Sequence, residues 1–228
     1  MKRYKKSDDT REKILAASRS LFYDLGYFGT SVKNISSKAE VNRALISYHF
    51  GSKGELAFTV ANEMVKNMRQ QLLQTYKKLG EEPELLVQLA TEFRHFARLR
   101  ETCRQYKRLM VELSMENIMT FSSGHGGFEI TDRVCEKYGL NYDENEKKLV
   151  HFSIASTIGT FIILHDKELI DCAAGFLAEK QIEMYLKIFG FNNEFIQIVK
   201  KKSDVLFQKV ELTMGKDLKS KCRILQEI

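Results

Sequence analysis

Val41-Asn42-Arg43-Ala44-Leu45-Ile46-Ser47-Tyr48-His49-Phe50-Gly51-Ser52-Lys53-Gly54-Glu55-Leu56 contains two helix starts and one helix stop within a short run. Asn42 is a preferred N-cap residue, whose side-chain oxygen can take a backbone N–H of the first turn. Val41 before it and Ile46 at the fourth helical position form a hydrophobic staple that fixes the entry angle. Phe50 falls four residues after Ile46 and continues the inward face, and Gly51 closes the helix. Ser52-Lys53-Gly54-Glu55 is a capping box, opening a long helix through Leu56 and Val60 towards Lys78.

Upstream, Asp9-Thr10-Arg11-Glu12 has the form of a helix start with Asp9 as N-cap. Ile14, Ala17, Leu21 and Leu25 follow at helical spacing with Phe22 beside them, and Gly26 ends the run. A short helix starting at Ser31 carries Val32, Ile35 and Ala39 on one stripe, and Glu40-Val41 makes the turn. Three short helices with a tight turn between the second and third describe a helix-turn-helix, in which the third helix enters the major groove. Another small helical bundle would show the same caps and spacing, so the pattern alone leaves both readings open. Subtracting the inward residues leaves Arg43, Ala44, Leu45, Ser47, Tyr48 and His49 lateral or outward, directly after Asn42. Arg43 can pair in bidentate fashion with guanine, while Ala44 and Leu45 can touch a thymine methyl. Tyr48, His49 and Lys53 suit phosphates, which set register rather than sequence.

Residues 10–56 resemble the DNA-binding region of the TetR family of bacterial repressors. The resemblance is carried by Ile14-Leu15-Ala16-Ala17, Leu21-Phe22, Gly26-Tyr27, Thr30-Ser31-Val32-Lys33-Asn34-Ile35, Ala39-Glu40-Val41 and, above all, Ile46 through Leu56. It implies that Thr30 and Ser31 at the start of the second helix and Lys53 at the start of the fourth hold phosphates. The helix N-terminal dipole favours the same contacts. Two positions depart from the family pattern. Glu40 stands where the family usually has glycine, and a non-glycine residue in a left-handed turn costs ~1–2 kcal/mol, so a slightly different turn is expected. Ser47 stands where the family often has a DNA-contacting tyrosine, a role that Tyr48 and His49 would take over.

Charge agrees with a DNA-binding front end. Residues 1–60 hold 11 Lys and Arg against 6 Asp and Glu, a net of +5 in a chain whose formal charge is +6. A phosphate backbone attracts such a segment. A second basic cluster lies late, at Lys200, Lys201 and Lys202, then Lys216, Lys219, Lys221 and Arg223. One proline and 13 glycines in 228 residues leave long stretches with nothing to break a helix, since proline costs about 3 kcal/mol and glycine about 1 kcal/mol there. The fold class expected is all-α.

No apolar run follows the basic Met1–Lys6 segment, so no signal peptide is read. The longest uncharged apolar stretch, Phe152 to Leu164, falls short of the ~20 residues a bilayer span takes. The scattered Cys103, Cys135, Cys172 and Cys222 read as reduced thiols of a cytoplasmic protein. His95, His125, His151 and His165 show no metal-ligand spacing, and no catalytic or phosphate-loop motif appears. Neither a metal, a cofactor nor an enzymatic activity is expected.

Beyond residue 60 no linker appears. Pro83 fits the first turn of a fifth helix carrying Leu86, Leu89, Phe93, Phe96 and Leu99. A sixth carries Tyr106, Leu109, Met110, Leu113 and Ile118. Ser122 through Gly127 break the pattern as a mobile loop, followed by a short helix from Phe128 to Tyr138. Asp143-Glu144-Asn145-Glu146 caps a helix running to about His165, and another runs from about Lys167 to Phe189. Ser153, Ser156, Gly159 or Thr160 on the first of these, and Ala174 and Ala178 on the second, let helices approach closely. The TetR resemblance makes this pair the candidate dimer interface, although packing within one chain explains small residues equally well. Residues 192–213 read as an extra helix and the tail after Met214 as frayed.

Aromatic and methionine side chains of the middle helices, Phe93, Phe96, Tyr106, Met110, Phe121 and Phe161, are candidates for an apolar ligand pocket; ordinary core packing is the competing reading. Taken together, the sequence predicts a helix-turn-helix domain over residues 1–55 and a helical ligand-binding and dimerisation domain over 56–228. The expected function is a TetR-like regulator, a repressor that binds palindromic double-stranded operator DNA as a homodimer, away from membranes, and is released by a small-molecule inducer. The alternative is a helix-turn-helix-fold interaction protein that coats DNA or binds a protein partner without strong operator specificity.

Overall fold

The structure, a computed structural model, describes residues 2–121 and 128–225, so the loop expected at Ser122–Gly127, with His125, lies outside the described residues. Its elements are α1 (Lys2–Leu25), α2 (Val32–Ala39), α3 (Arg43–Phe50), α4 (Lys53–Lys78), α5 (Leu85–Thr102), α6 (Arg104–Met115), α7 (Ile118–Phe121), α8 (Phe128–Tyr138), α9 (Glu144–Asp166), α10 (Ala174–Ile188) and α11 (Asn193–Lys209). A small antiparallel hairpin, β1 (Val210–Met214) with β2 (Ser220–Ile224), follows. The chain is all-α with this one hairpin appended.

Helix ends follow the capping chemistry closely in most places. Asn42 accepts from the Ala44 N–H at 2.9 Å, Ser52 from Glu55 N–H at 3.0 Å, and Asp143 from Asn145 and Glu146 N–H at 2.7 and 2.9 Å. The Glu146 carboxylate accepts in return from the Asp143 N–H, completing the box that opens α9. Asp9 is different: α1 begins seven residues earlier, so Asp9 lies inside the helix and caps nothing. The Lys- and Arg-rich lead-in contains good helix formers and no breaker, so the helix propagates back through it.

Three further expectations are corrected. Asn117 takes a left-handed conformation (φ 53°) between α6 and α7, so Ile118 belongs to a separate short helix. Glu168 (φ 55°) likewise ends the α9 region, and α10 starts only at Ala174. As far as residue 225 the C-terminal tail is not frayed. Helix α11 stops at Lys209 and the chain turns into the hairpin, with Val210 opposite Ile224 and Met214 opposite Ser220. Val210, Leu212 and Leu218 are buried, which gives this segment the apolar content to hold it in place. The Ser220 hydroxyl donates to Asn67 Oδ1 of α4 at 2.8 Å, and the turn at Lys216–Leu218 packs on α1.

Helix α5 is the centre of the body. It packs against α6, α10, α11 and β1, and 13 of its 18 residues are buried, which explains why polar side chains such as Glu92, Arg94 and His95 lie inside. Arg94 binds α11, donating from Nε to Ser203 Oγ at 3.1 Å and from Nη2 to the Lys200 carbonyl at 3.0 Å. It also pairs with Glu179 of α10. Helix α9 contrasts with α5. It is long and apolar enough by length and composition to cross a membrane, at a mean hydropathy of 1.3, because only few charges interrupt the run that includes Phe152–Leu164. Yet only Ile162 of it is fully buried.

Candidate nucleic-acid interface and the cavity behind it

Ser31 opens α2 with a reciprocal cap: its Oγ accepts from Asn34 N–H at 3.1 Å, and its own N–H donates to Asn34 Oδ1 at 3.0 Å. Glu40 then takes φ 54° and ψ 44°. The turn therefore keeps the left-handed geometry that glycine would adopt without strain, and the expected local difference does not occur. Its N–H reaches the Ser37 carbonyl at 3.3 Å, and Val41 N–H the Ser36 carbonyl at 3.0 Å. With Ile46 and Phe50 buried, the opposite side of α3 must point outward. Asn42, Arg43, Ala44, Ser47 and Tyr48 are exposed, Tyr48 at 78 %, while Leu45 and His49 are half-buried on the flanks. The His49 ring packs edge-on against Tyr48 at 5.1 Å, which orients both.

Two predicted phosphate ligands occupy different positions from those expected. Thr30 is 1 % exposed, and its hydroxyl donates to the Gly26 carbonyl at 2.6 Å, so it shapes the turn rather than reaching outward. Lys53 is half-buried and donates to the carbonyls of Tyr27 at 3.2 Å and Thr30 at 3.1 Å, with its ammonium over the Tyr27 ring at 4.0 Å. An ammonium has three N–H donors, which leaves one for a phosphate. Ser31 is exposed. Sequence reasoning passed over two cations: Lys33, exposed on α2, and Arg11, exposed with its guanidinium over Phe50 at 5.3 Å. Spacing of two from the buried Ile35 would have placed Lys33 outward, whereas Arg11, three residues before the buried Ile14, is exposed against that spacing.

The head is attached to the body at Gly26. This residue has φ +77°, and a Cβ there would fall 2.6 Å from Glu112 Oε2 and 2.8 Å from Arg108 Nε. Glu112 accepts from the Phe28 N–H at 3.0 Å, and Arg108 donates to the Tyr23 carbonyl at 2.8 Å. Helix α6 thus grips the 23–28 segment with one face. Its other face carries Tyr106, Met110 and Ser114 into a cavity of about 270 Å³. Helix α4 makes a second link, from Lys53 at its start to Val65 and Arg69 in the cavity wall. Lys53 and Arg69 lie 16 residues apart on one helix, about 24 Å at 1.5 Å per residue.

Phe93, Phe96, Tyr106 and Met110, four of the six residues singled out from sequence, line this one cavity; Phe161 does not, being half-buried elsewhere on α9. The Phe121 side chain lies outside the described residues. The polar groups in the wall were not foreseen. Glu92, 3 % exposed, receives Arg69 Nε at 2.8 and 2.9 Å and Gln88 Nε2 at 2.8 Å; burial raises its pKa, against the pull of Arg69. Further along α5, Arg100 donates to Gln181 Oε1 at 3.4 Å. Burial pushes the Tyr106 phenol up to about 12 and lowers the pKa of His151. A signal for Arg100 existed: it falls on the stripe Leu89, Phe93, Phe96, at spacings of four, three and four, where an apolar residue would be expected.

Along α9, Leu149, Ser153, Ser156 and Thr160 are all exposed, and their spacing of four, three and four puts them on one stripe. On α10, Phe176 and Met184 are exposed, whereas Ala174 and Ala178 are buried within the chain. The two alanines therefore serve intrachain packing, as does Gly159, which faces Ser114 of α6, whereas Ser153, Ser156 and Thr160 of α9 do not.

Residues 14–60 match the family model described as bacterial regulatory proteins, tetR family. Similar curated relatives include the HTH-type transcriptional regulator LmrA of Bacillus subtilis (40 % identical over 28 % of this chain and 35 % of that protein). Another is the HTH-type transcriptional repressor NicS of Pseudomonas putida (34 % over 30 % and 32 %). These matches span about a third of each relative's length. Among solved structures, RolR without ligand aligns with TM-score 0.55 at 12 % identity, covering 85 % of this chain and 96 % of that one. RolR in complex with resorcinol aligns with TM-score 0.54 at 15 % identity, covering 82 % and 94 %. At these identities the likeness is one of fold.

Proposed function

We propose that this chain, which belongs to the tetR family of bacterial regulatory proteins through its N-terminal domain, is a repressor that binds an inverted-repeat operator as a homodimer and releases it when a small molecule fills the cavity. The observation that carries the reading is the two-faced α6. One side grips the head through Arg108, Glu112 and the close approach at Gly26, and the other lines the cavity. A ligand that moves α6 or Arg69 of α4 must re-aim the head.

In this reading the head spans residues 1–55 and the ligand-binding and dimerisation domain 56–228, with α4 shared between them. Arg43, Ala44 and Leu45 read base edges, Ser47, Tyr48 and His49 flank them, and Ser31, Asn42, Lys33 and the remaining N–H of Lys53 hold phosphates. The outward stripe of α9, with Phe176 and Met184 of α10, receives the same face of a second copy. Covering this face in a dimer accounts for the apolar, unburied character of α9 in a cytoplasmic, non-enzymatic protein. A ligand that prefers the off-DNA arrangement weakens operator binding by its differential affinity for the two states. That RolR has been solved with resorcinol supports a small molecule as the effector.

The test is fluorescence anisotropy with duplex DNA from upstream of the protein's own gene, against a scrambled duplex, across a salt series. A specific regulator prefers its site by a factor on the order of 10³ or more, with two subunits per site. Equal affinity for selected and random duplexes would instead support a coating or protein-binding role.

A further inference from the structure

We propose that the cavity is built for a compact, largely apolar ligand carrying one carboxylate or comparably acidic group, and that Arg100 is its anchor. The inference deepens the reading of this cavity as the effector site and rests on it.

The cavity holds two guanidiniums and one carboxylate in its wall, Arg69, Arg100 and Glu92. Glu92 and Arg69 neutralise each other, with Gln88 adding a further donor to the carboxylate. Arg100 is the remaining charge. It is 9 % exposed, and among the described residues no carboxylate lies within ion-pair distance of it. Its neighbour in sequence, Glu101, accepts instead from the Ala174 N–H at 3.3 Å. Among the described residues Arg100 hydrogen-bonds the amide oxygen of Gln181 at 3.4 Å, a long hydrogen bond between a charged donor and a neutral acceptor. Burying a charge without an ion-pair partner is expensive, and burial lowers the pKa of Arg100 against the weaker pull of Tyr106 and Glu101.

Two more donors meet at the same wall. Gln181, 3 % exposed, has its Nε2 without a partner, and Tyr185, 8 % exposed, has its Oη without one. A guanidinium, an amide N–H₂ and a phenol O–H are together a donor set for a carboxylate, which accepts through two oxygens and about four lone-pair sites. The rest of the wall decides the body of the ligand. Phe93, Phe96, Met110, Ile154 and Ile158 offer ring faces and aliphatic surface. At about 270 Å³ the cavity lies near the small end of ligand pockets, which run ~300–1,000 Å³, and so suits a compact body such as one ring with a short chain. A cationic ligand is disfavoured because the carboxylate it would seek already holds Arg69 and Gln88.

The test uses matched probes differing only in charge: phenylacetate and 3-phenylpropionate, their primary amides, and phenethylamine. Each is titrated by calorimetry and by melting temperature at neutral pH into the full-length protein, Arg100→Met and Arg100→Lys, with circular dichroism and operator binding as folding controls. In the wild type the acids should bind at least tenfold more tightly than their amides. Arg100→Met should reduce that preference to within about twofold, and Arg100→Lys should keep part of it. Amides or the amine binding as well as the acids, no binding by any acid, or a preference that survives Arg100→Met in a folded variant would each overturn the proposal. Operator anisotropy separates the two levels. Acids that bind through Arg100 yet leave DNA binding unchanged refute the effector reading alone. A neutral ligand of this cavity that releases DNA refutes the acid-binding proposal alone.

Discussion

Helices α3 and α5 use polar residues in opposite ways. Helix α3 buries two of its eight residues, Ile46 and Phe50, and leaves Arg43, Ser47 and Tyr48 exposed. Helix α5 buries thirteen of eighteen, among them Gln88, Thr91, Glu92, Arg94, His95 and Arg100. On α3 polarity marks what the molecule presents to something else. On α5 most of the polar groups are each other's or a neighbouring helix's partners, and Arg100 stands out by having no ion-pair partner among the described residues. A polar side chain therefore points to function when its chemistry is left incomplete by its own chain, whether it lies outside or inside.

The largest expected effect follows from a completed pair. Arg69→Met leaves the buried Glu92 carboxylate with Gln88 alone, and breaking a buried pair from one side typically costs about 3–5 kcal/mol. Without Arg69 the folded state binds the Glu92 proton more tightly than the unfolded state does, so protonation offsets the damage. In urea unfolding the gap between variant and wild type should be narrower at pH 5.5 than at pH 8. A gap independent of pH would mean that Glu92 is not left as a buried charge.

His95 comes next. Its Nε2 lies 2.8 Å from Tyr76 Oη, and its ring meets Phe207 edge-on at 4.9 Å. Burial, with Arg98 adding to it, lowers its pKa from 6.5 to about 3. Above pH 6.5 both folded and unfolded states carry it neutral, and stability is unaffected. Below that only the unfolded state takes up the proton, so stability should fall as the pH drops towards 3, by up to ~1.4 kcal/mol per pH unit. His95→Gln should flatten this slope in denaturation measured between pH 7 and 4.5; an unchanged slope would assign acid sensitivity elsewhere.

The smallest effect concerns the head. Glu40 holds φ 54°, a conformation that costs a non-glycine residue ~1–2 kcal/mol, partly offset by the greater unfolded-state freedom of glycine, ~0.4–1 kcal/mol. Glu40→Gly should raise stability by roughly 0.5–1 kcal/mol without changing operator preference. A loss of stability would show that the Glu40 side chain contributes something its exposed position conceals.

How far the sequence carried the reading differs between the same two regions. In the head the signals are local: Asn42, Gly51 and Ser52 through Glu55 mark helix ends by chemistry completed within four residues. The outward set on α3 followed from subtracting Ile46 and Phe50. Thr30 and Lys53 escaped because their partners, the carbonyls of Gly26, Tyr27 and Thr30, come together only in the folded turn. In the body, helical spacing placed Phe93, Phe96, Tyr106 and Met110 on inward faces, and the structure brings them to one cavity. The Arg69–Glu92 pair spans two helices and is invisible to spacing within one. The hairpin was missed although Val210, Leu212 and Met214 alternate, because the helical pattern of α11 leads directly into it.

The most direct test of the account is to measure Arg43→Ala and Lys53→Ala by anisotropy against the selected operator and a set of single-base-pair variants of it. Arg43→Ala should lose ~1–3 kcal/mol and flatten the preference at one position per half-site, while Lys53→Ala weakens binding to every sequence alike and reduces the salt slope. If both variants weaken all duplexes equally and leave base preference intact, the exposed face of α3 does not read DNA sequence.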